Sequence, residues 1–292
     1  MKKVLTHIIF FSLKIISFFP LWYLFLWSGI LYFIIYYLLG YRRKVVRTNL
    51  TNSFPQKNPA QLLKIEKEYY RHLCDLVFES IWCLSASRKQ MKKRCAMVNI
   101  HLVEHYYKKQ QDMVFLLGHV GNWEWASLAF TAYDVHQLLP LYKPVKNKTA
   151  NEIFLKLRSR FGARLIPMMQ IGREINTTFE TPVGFAFIAD QSPMPEHAHW
   201  TNFLNQETCF FNGYDKIARK KGYPVFFCHV NKIKRGYYEV KFEELTSDAS
   251  TLKQDETTEM YARHLESNIL EAPAFWVWSH RRWKHKKKNK HI

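Results

Sequence analysis

The sequence predicts an α/β protein: a mostly parallel sheet flanked by helices, with a hydrophobic membrane helix at the N-terminus. Three observations predict it. Short continuous apolar runs, such as 113–117 and 183–189, read as strands buried on both faces. These runs alternate with stretches of helical period, the order expected of parallel α/β units. No charged residue interrupts positions 15–39, which at about 1.5 Å per residue is long enough to span a bilayer's hydrocarbon core.

Residues 1–47 form the membrane anchor and its basic flank. A cleavable leader fits poorly, because the apolar run is long and no small-residue cleavage site follows it. Pro20 bends the run, and Trp22, Trp27, Tyr32, Tyr36 and Tyr37 scatter aromatics through it. A tilted span and a helix lying in the interface both stay open. Arg42, Arg43, Lys44 and Arg47 outnumber Lys2 and Lys3, which by the positive-inside tendency places the rest of the chain in the cytoplasm.

Residues 48–284 form the main domain and 285–292 a basic tail. Asn58-Pro59 opens a long helix over 58–85, with an N-cap and a first-position proline. Lys92, Lys93 and Arg94 read as a solvated stretch. The strand at 113–117 leads to a helix over 123–132, then to a strand at 137–142 closed by Lys143-Pro144. A basic amphipathic helix covers 147–161 and carries Lys156, Arg158 and Arg160. Short strands follow at 163–167 and 183–189, the latter ending at Asp190-Gln191. Residues 192–212, rich in Pro, His, Asn and aromatics, read as a long surface loop. A helix over 210–221 stops at Gly222, strands at 225–230 and 237–242 flank a turn, and a last helix covers 254–270.

The net charge of +19 demands an anionic partner: nucleic acid, a membrane surface or an acidic protein. Five cysteines without a C-x-x-C pair argue against a disulfide framework and for a reducing compartment. The 13 histidines show no H-E-x-x-H spacing, so no metal site is expected.

The chain is organised around the segment from Met113 to Ala126. Gly118 ends a buried strand, and His119 and Glu124 follow five apart, too far around a helix to share one face. They can cooperate if His119 lies on the loop and Glu124 in the first helical turn, a geometry that Gly121 and an Asn122 N-cap supply. A neutral imidazole would then take a proton from an attacking hydroxyl, with a carboxylate behind it fixing the tautomer. The spacing alone is equally that of a structural histidine and a helix-start acid. His119, Lys143 and Asp190 all fall just past the carboxyl end of a strand, where ligands collect in such sheets.

Read in order, Gly118-His119-Val120-Gly121-Asn122-Trp123-Glu124, Tyr142-Lys143-Pro144, Asp190-Gln191 and the box from Trp276 to Lys284 resemble the bacterial lipid A late acyltransferases. The resemblance covers almost the whole chain, and the wider glycerolipid acyltransferases share the first box. It implies a glycerolipid-acyltransferase-like fold over 48–284. It also implies transfer of a fatty acyl chain from acyl carrier protein, or less often acyl-CoA, to a hydroxyl of a lipid A precursor at the bacterial inner membrane. No cofactor is implied beyond that thioester co-substrate. His119 would be the general base and Glu124 its orienting partner. Asn122, Lys143, Arg158, Arg160, Asp190 and Gln191 would bind substrate, Asp190 and Gln191 from the pocket wall. The family usually carries arginine where this chain has Lys143; lysine neutralises a phosphate but lacks arginine's bidentate fork.

Acyl carrier protein, a membrane lipid acceptor and an anionic membrane surface are the partners this reading requires, and they account for the charge. Trp276, Trp278 and Trp283 are expected at headgroup depth beside the tail. Trp200, Phe203, Phe210 and Phe211 are candidates to line an acyl groove. The same chemistry on a lysophospholipid or aminolipid is one alternative. A basic, membrane-associated nucleic-acid-binding protein is another, though it leaves the His119 segment unexplained and no nucleic-acid motif supports it.

Overall fold

A computed structural model describes residues 2–287, with side chains described from Thr6. Among them the helices are α1 (Lys2–Ile16), α2 (Leu21–Tyr32), α3 (Arg43–Ser53), α4 (Pro59–Trp82), α5 (Arg88–Arg94), α6 (His101–Lys108), α7 (Trp123–Tyr133), α8 (Lys148–Arg158), α9 (Ile171–Glu174), α10 (Gly213–Lys221) and α11 (Glu256–Glu271). The strands are β1 (Cys95–Met97), β2 (Met113–Leu117), β3 (Gln137–Tyr142), β4 (Ile166–Pro167), β5 (Val183–Ile188), β6 (His199–Phe203), β7 (Gln206–Phe210), β8 (Val225–Lys234) and β9 (Tyr237–Thr246).

Seven strands form one sheet in the order β1-β9-β8-β2-β5-β3-β4. All neighbours run parallel except the β8–β9 hairpin. The predicted class therefore holds: mixed α/β, mostly parallel, with helices on both faces. β2 lies at the centre, and all five of its residues are buried, as its unbroken apolar run requires. Its side chains alternate between two cores. Val114 and Leu116 pack with Tyr261, Leu265 and Trp276, whereas Phe115 packs with Trp125, Phe130 and Phe242.

Three stretches differ from the sequence reading. Lys92, Lys93 and Arg94 belong to α5, which starts at a Ser87/Gln90 capping box. The loop read at 192–212 contains the β6–β7 hairpin, whose turn, Leu204-Asn205, takes positive φ at both residues without a glycine. Leu204 holds that conformation because its side chain is buried and its N–H donates to Glu266 Oε1 at 2.5 Å. The C-terminal tryptophans are core residues, not headgroup anchors. Trp276 and Trp278 are buried, and Trp283 Nε1 donates to Thr208 Oγ1 at 2.7 Å.

Positions 21–38, α2 and a turn of π-helix, are long and apolar enough to cross a membrane, and only 22% of them is buried. The buried share packs on α4: Leu21 and Leu24 join the core, and Ser28 Oγ donates to Asp75 Oδ1 at 2.6 Å. Trp22, Leu26, Ile30, Phe33 and Leu38 face outward. The anchor read at 1–47 thus shares its core with the main domain. Of the basic tail, 288–292 lie outside the described residues.

Candidate active site

β2 and β5 run parallel with Leu117 opposite Ile188, so the residues two places beyond each, His119 and Asp190, emerge at one level. His119 Nδ1 lies 2.5 Å from Asp190 Oδ1, and the His119 backbone N–H donates to Asp190 Oδ2 at 2.7 Å. Trp276 Nε1 donates to the same Oδ2 at 2.8 Å. Burial pushes the Asp190 carboxyl up, but the His119 charge and the hydrogen bonds from His119 and Trp276 outweigh it and hold the group at about 2. An ionised carboxylate only accepts, so Nδ1 carries a proton on the Asp190 side. An amide nitrogen only donates, so the Gln191 contact suits an Nε2 that accepts. Nε2 lies 3.4 Å from Gln191 Nε2 and is the half of the ring turned toward solvent, the side chain being 16% exposed.

Two glycines make room for this turn. A Cβ on Gly118 would lie 2.3 Å from Leu265 Cδ1. Gly121 has φ +60°, and a Cβ there would lie 2.5 Å from the Val230 carbonyl. The loop is also stitched to the C-terminal segment, since the Gly121 N–H donates to Phe275 O at 2.9 Å and Val120 bridges Trp276.

A second polar network lies behind the loop. His72 Nε2 meets Gly121 O at 3.0 Å, and Lys232 Nζ meets His72 Nδ1 at 3.2 Å. An ammonium only donates and a carbonyl only accepts, so His72 is neutral with its proton on Nε2. Burial first, then the Lys232 charge, drive its pKa down to about 3. Beside it, buried Glu79 accepts from Asn122 Nδ2 at 2.7 Å and from Tyr238 Oη at 2.8 Å. Burial pushes that carboxyl up to about 7, against the pull of Lys232 and these hydrogen bonds.

The structure does not bring all of the sequence-predicted residues together. His119, Asp190 and Gln191 come together. Glu124 does not reach the imidazole as its expected partner; it takes both arms of Arg158, Nε at 2.8 Å and Nη2 at 2.5 Å. Burial works to lower the Arg158 pKa, and the Glu124 hydrogen bonds and charge raise it above its ordinary value. Asn122 caps α7 by accepting from Trp125 N at 2.9 Å, so both ends of its amide are engaged inside the protein. Lys143 is exposed just past β3. Arg160 turns away, its guanidinium donating to Cys83 O.

Sequence reasoning missed Trp276 as the donor to Asp190, and His280, whose Nε2 accepts from Ser192 N at 3.3 Å beside the Asp190-Gln191 turn. Phe203 and Phe210, read as groove lining, are fully buried against Trp276 and Tyr261. All five cysteines are free and buried, and burial raises the thiols of Cys74, Cys83, Cys95 and Cys228, which makes them poor nucleophiles. Among the described residues, His229, Glu243 and His264 are a group with metal-ligand chemistry, apart from the His119 loop.

An α/β sheet with a partly exposed imidazole backed by a buried carboxylate at its carboxyl edge has the form of an acid–base enzyme. The chain belongs to the bacterial lipid A biosynthesis acyltransferases, a family whose profile matches residues 1–285, nearly the whole chain. No curated protein matches it. Family membership makes the chain an acyltransferase of lipid A biosynthesis, and with the apolar N-terminal helix it is consistent with membrane association.

Proposed function

We propose that the protein transfers a fatty acyl chain from an acyl carrier protein thioester to a hydroxyl of a lipid A precursor at the cytoplasmic face of the bacterial inner membrane. The single observation that carries the chemistry is the His119–Asp190 pair, with Nδ1 held on the buried carboxylate and Nε2 facing the Gln191 amide. His119 takes the acceptor's hydroxyl proton as oxygen attacks the thioester carbonyl. The C–O bond forms, the C–S bond breaks, and the proton passes to the departing thiolate. Ionised Asp190 orients the ring and stabilises the imidazolium. The Gln191 amide and the N-terminus of α7 are candidates to stabilise the oxyanion. The raised cysteine thiols favour direct transfer over an acyl-enzyme.

Arg158, held by Glu124 in the first turn of α7, and Lys143, exposed just past β3, would supply positive charge for the acceptor's phosphates. The apolar N-terminal segment supports approach from the membrane. Thr6 Oγ1 lies 2.8 Å from Thr149 Oγ1, and Lys156 sits over Phe10, so α1 touches α8, the helix that carries Arg158. The charge of +19 suits acidic acyl carrier protein as donor. Mass spectrometry of lipids from cells with and without the gene tests the reading. Lipid A lacking one acyl chain in the deletion, restored by wild type but not by His119→Ala, is the expected result. Unchanged lipid A with altered phospholipid or aminolipid would move the acceptor, and no lipid change would overturn the proposal.

A further inference from the structure

We infer that His229, Glu243 and His264 form a binding site for a divalent transition-metal ion, with zinc as its natural occupant, which clamps α11 onto the β8–β9 hairpin. The three residues come from three elements, and their ligand atoms all lie within 4.8 Å of one another. His229 Nε2 is 2.7 Å from Glu243 Oε2, and His264 Nδ1 is 3.7 Å from the same oxygen. Ligands around a tetrahedral ion about 2.0–2.2 Å from each donor sit about 3.3–3.6 Å apart, and these two separations lie on either side of that range. Two imidazoles and one carboxylate suit zinc and its first-row neighbours rather than calcium or magnesium, and leave one position open.

The surroundings favour this donor set. Phe227 lies against both rings, with centroids 4.6 Å from His229 and 5.7 Å from His264, and limits their rotation. Lys241, across from His229 in the hairpin register, opposes a cation, but it is exposed. No motif announces the group, because the ligands stand 14 and 21 positions apart, on two strands and a helix.

The location gives the clamp a consequence. The next residue along β8, Val230, is the one a Cβ on Gly121 would strike, and the next along α11, Leu265, is the one a Cβ on Gly118 would strike. An ion joining β8 to α11 therefore fixes the two walls that hold the His119 loop.

Isothermal titration of zinc into the full-length, untagged, chelator-stripped protein in detergent tests this. One tight equivalent is expected, weakened at least about tenfold in both His264→Ala and Glu243→Gln, since each loses one of three ligands. Zinc should also raise Tm in the wild type and not in Glu243→Gln. Circular dichroism establishes that both variants keep the fold; Glu243 is partly exposed, so the glutamine variant stands if the alanine variant does not. No tight equivalent in the wild type, or equal affinity in a folded Glu243→Gln protein, overturns the site.

Discussion

Two histidine networks face each other across the loop from Gly118 to Asn122, and they differ in one respect. In front, His119 uses Nδ1 on a buried carboxylate and keeps Nε2 open to solvent. Behind, His72 uses both nitrogens, one on Lys232 and one on Gly121 O, and is sealed from water. Both rings are tied to a charged group, so a charged neighbour does not mark the reactive one. The nitrogen that reaches the surface does, touching only the Gln191 amide among the described residues. In the proposed mechanism the front network would perform proton transfer, and the back network holds the loop backbone through Gly121 O.

The largest effect that sharpens this contrast is on His119. His119→Ala should lose roughly 10³–10⁴-fold in kcat, the upper range for a general base, with secondary structure unchanged. Activity within a few-fold of wild type would remove the front network from the chemistry. On the back side, His72→Phe leaves Gly121 O without the imidazole and Lys232 with only its ion pair to Asp75 and its contact with Phe275. It should cost about 1–3 kcal/mol of stability, seen as a lower urea midpoint, and lower activity only through the loop, with His72→Gln restoring part of both. If His72→Phe instead abolished turnover at full stability, the two networks would not be separable in this way.

The carboxylates of the two networks predict opposite pH trends in stability. Asp190 is held at about 2, below its ordinary 3.8, so its contribution is present above 3.8 and is lost as pH falls toward 2. Glu79 is pushed from 4.5 to about 7, so the folded state holds its proton more tightly than the unfolded chain. Its contribution is present below 4.5 and is lost as pH rises through 7. Urea unfolding across pH should show Asp190→Asn flattening the acid limb and Glu79→Gln flattening the limb between 4.5 and 7. The smallest effect concerns the donor. Raising salt should raise the apparent KM for acyl carrier protein a few-fold, because exposed charges are screened beyond about 8–10 Å. A flat response would leave the basic surface without that role.

What was legible in the sequence was local. The buried β2 run, the Gly118 stop, the Asn122 cap and the placement of His119 and Asp190 past strand ends all depend on neighbouring residues, and all are present. The strand order was not legible. That β2 lies beside β5 brings together residues 71 positions apart and makes Asp190, not Glu124, the residue that meets the imidazole. Glu124 was assigned by proximity in sequence, and its engagement by Arg158 follows from how α8 packs on α7, which no periodicity states. The β6–β7 turn escaped because Leu204 and Asn205 reach positive φ through tertiary contacts instead of a glycine. Aromatic residues beside a basic tail looked like interface anchors, yet Trp276 and Trp278 fill the core behind Asp190.

The most direct test of the account compares Asp190→Asn with Glu124→Gln in one assay, using an acyl carrier protein thioester and a lipid A precursor. Asp190→Asn should lower kcat by roughly 10²–10³-fold with KM nearly unchanged, because the imidazole loses its tautomer and the support for its charge. Glu124→Gln should keep kcat within about tenfold and raise KM for the lipid, because it disturbs only Arg158. The reverse pattern, with kcat collapsing in Glu124→Gln and preserved in Asp190→Asn, would contradict the pairing of His119 with Asp190 as the catalytic unit.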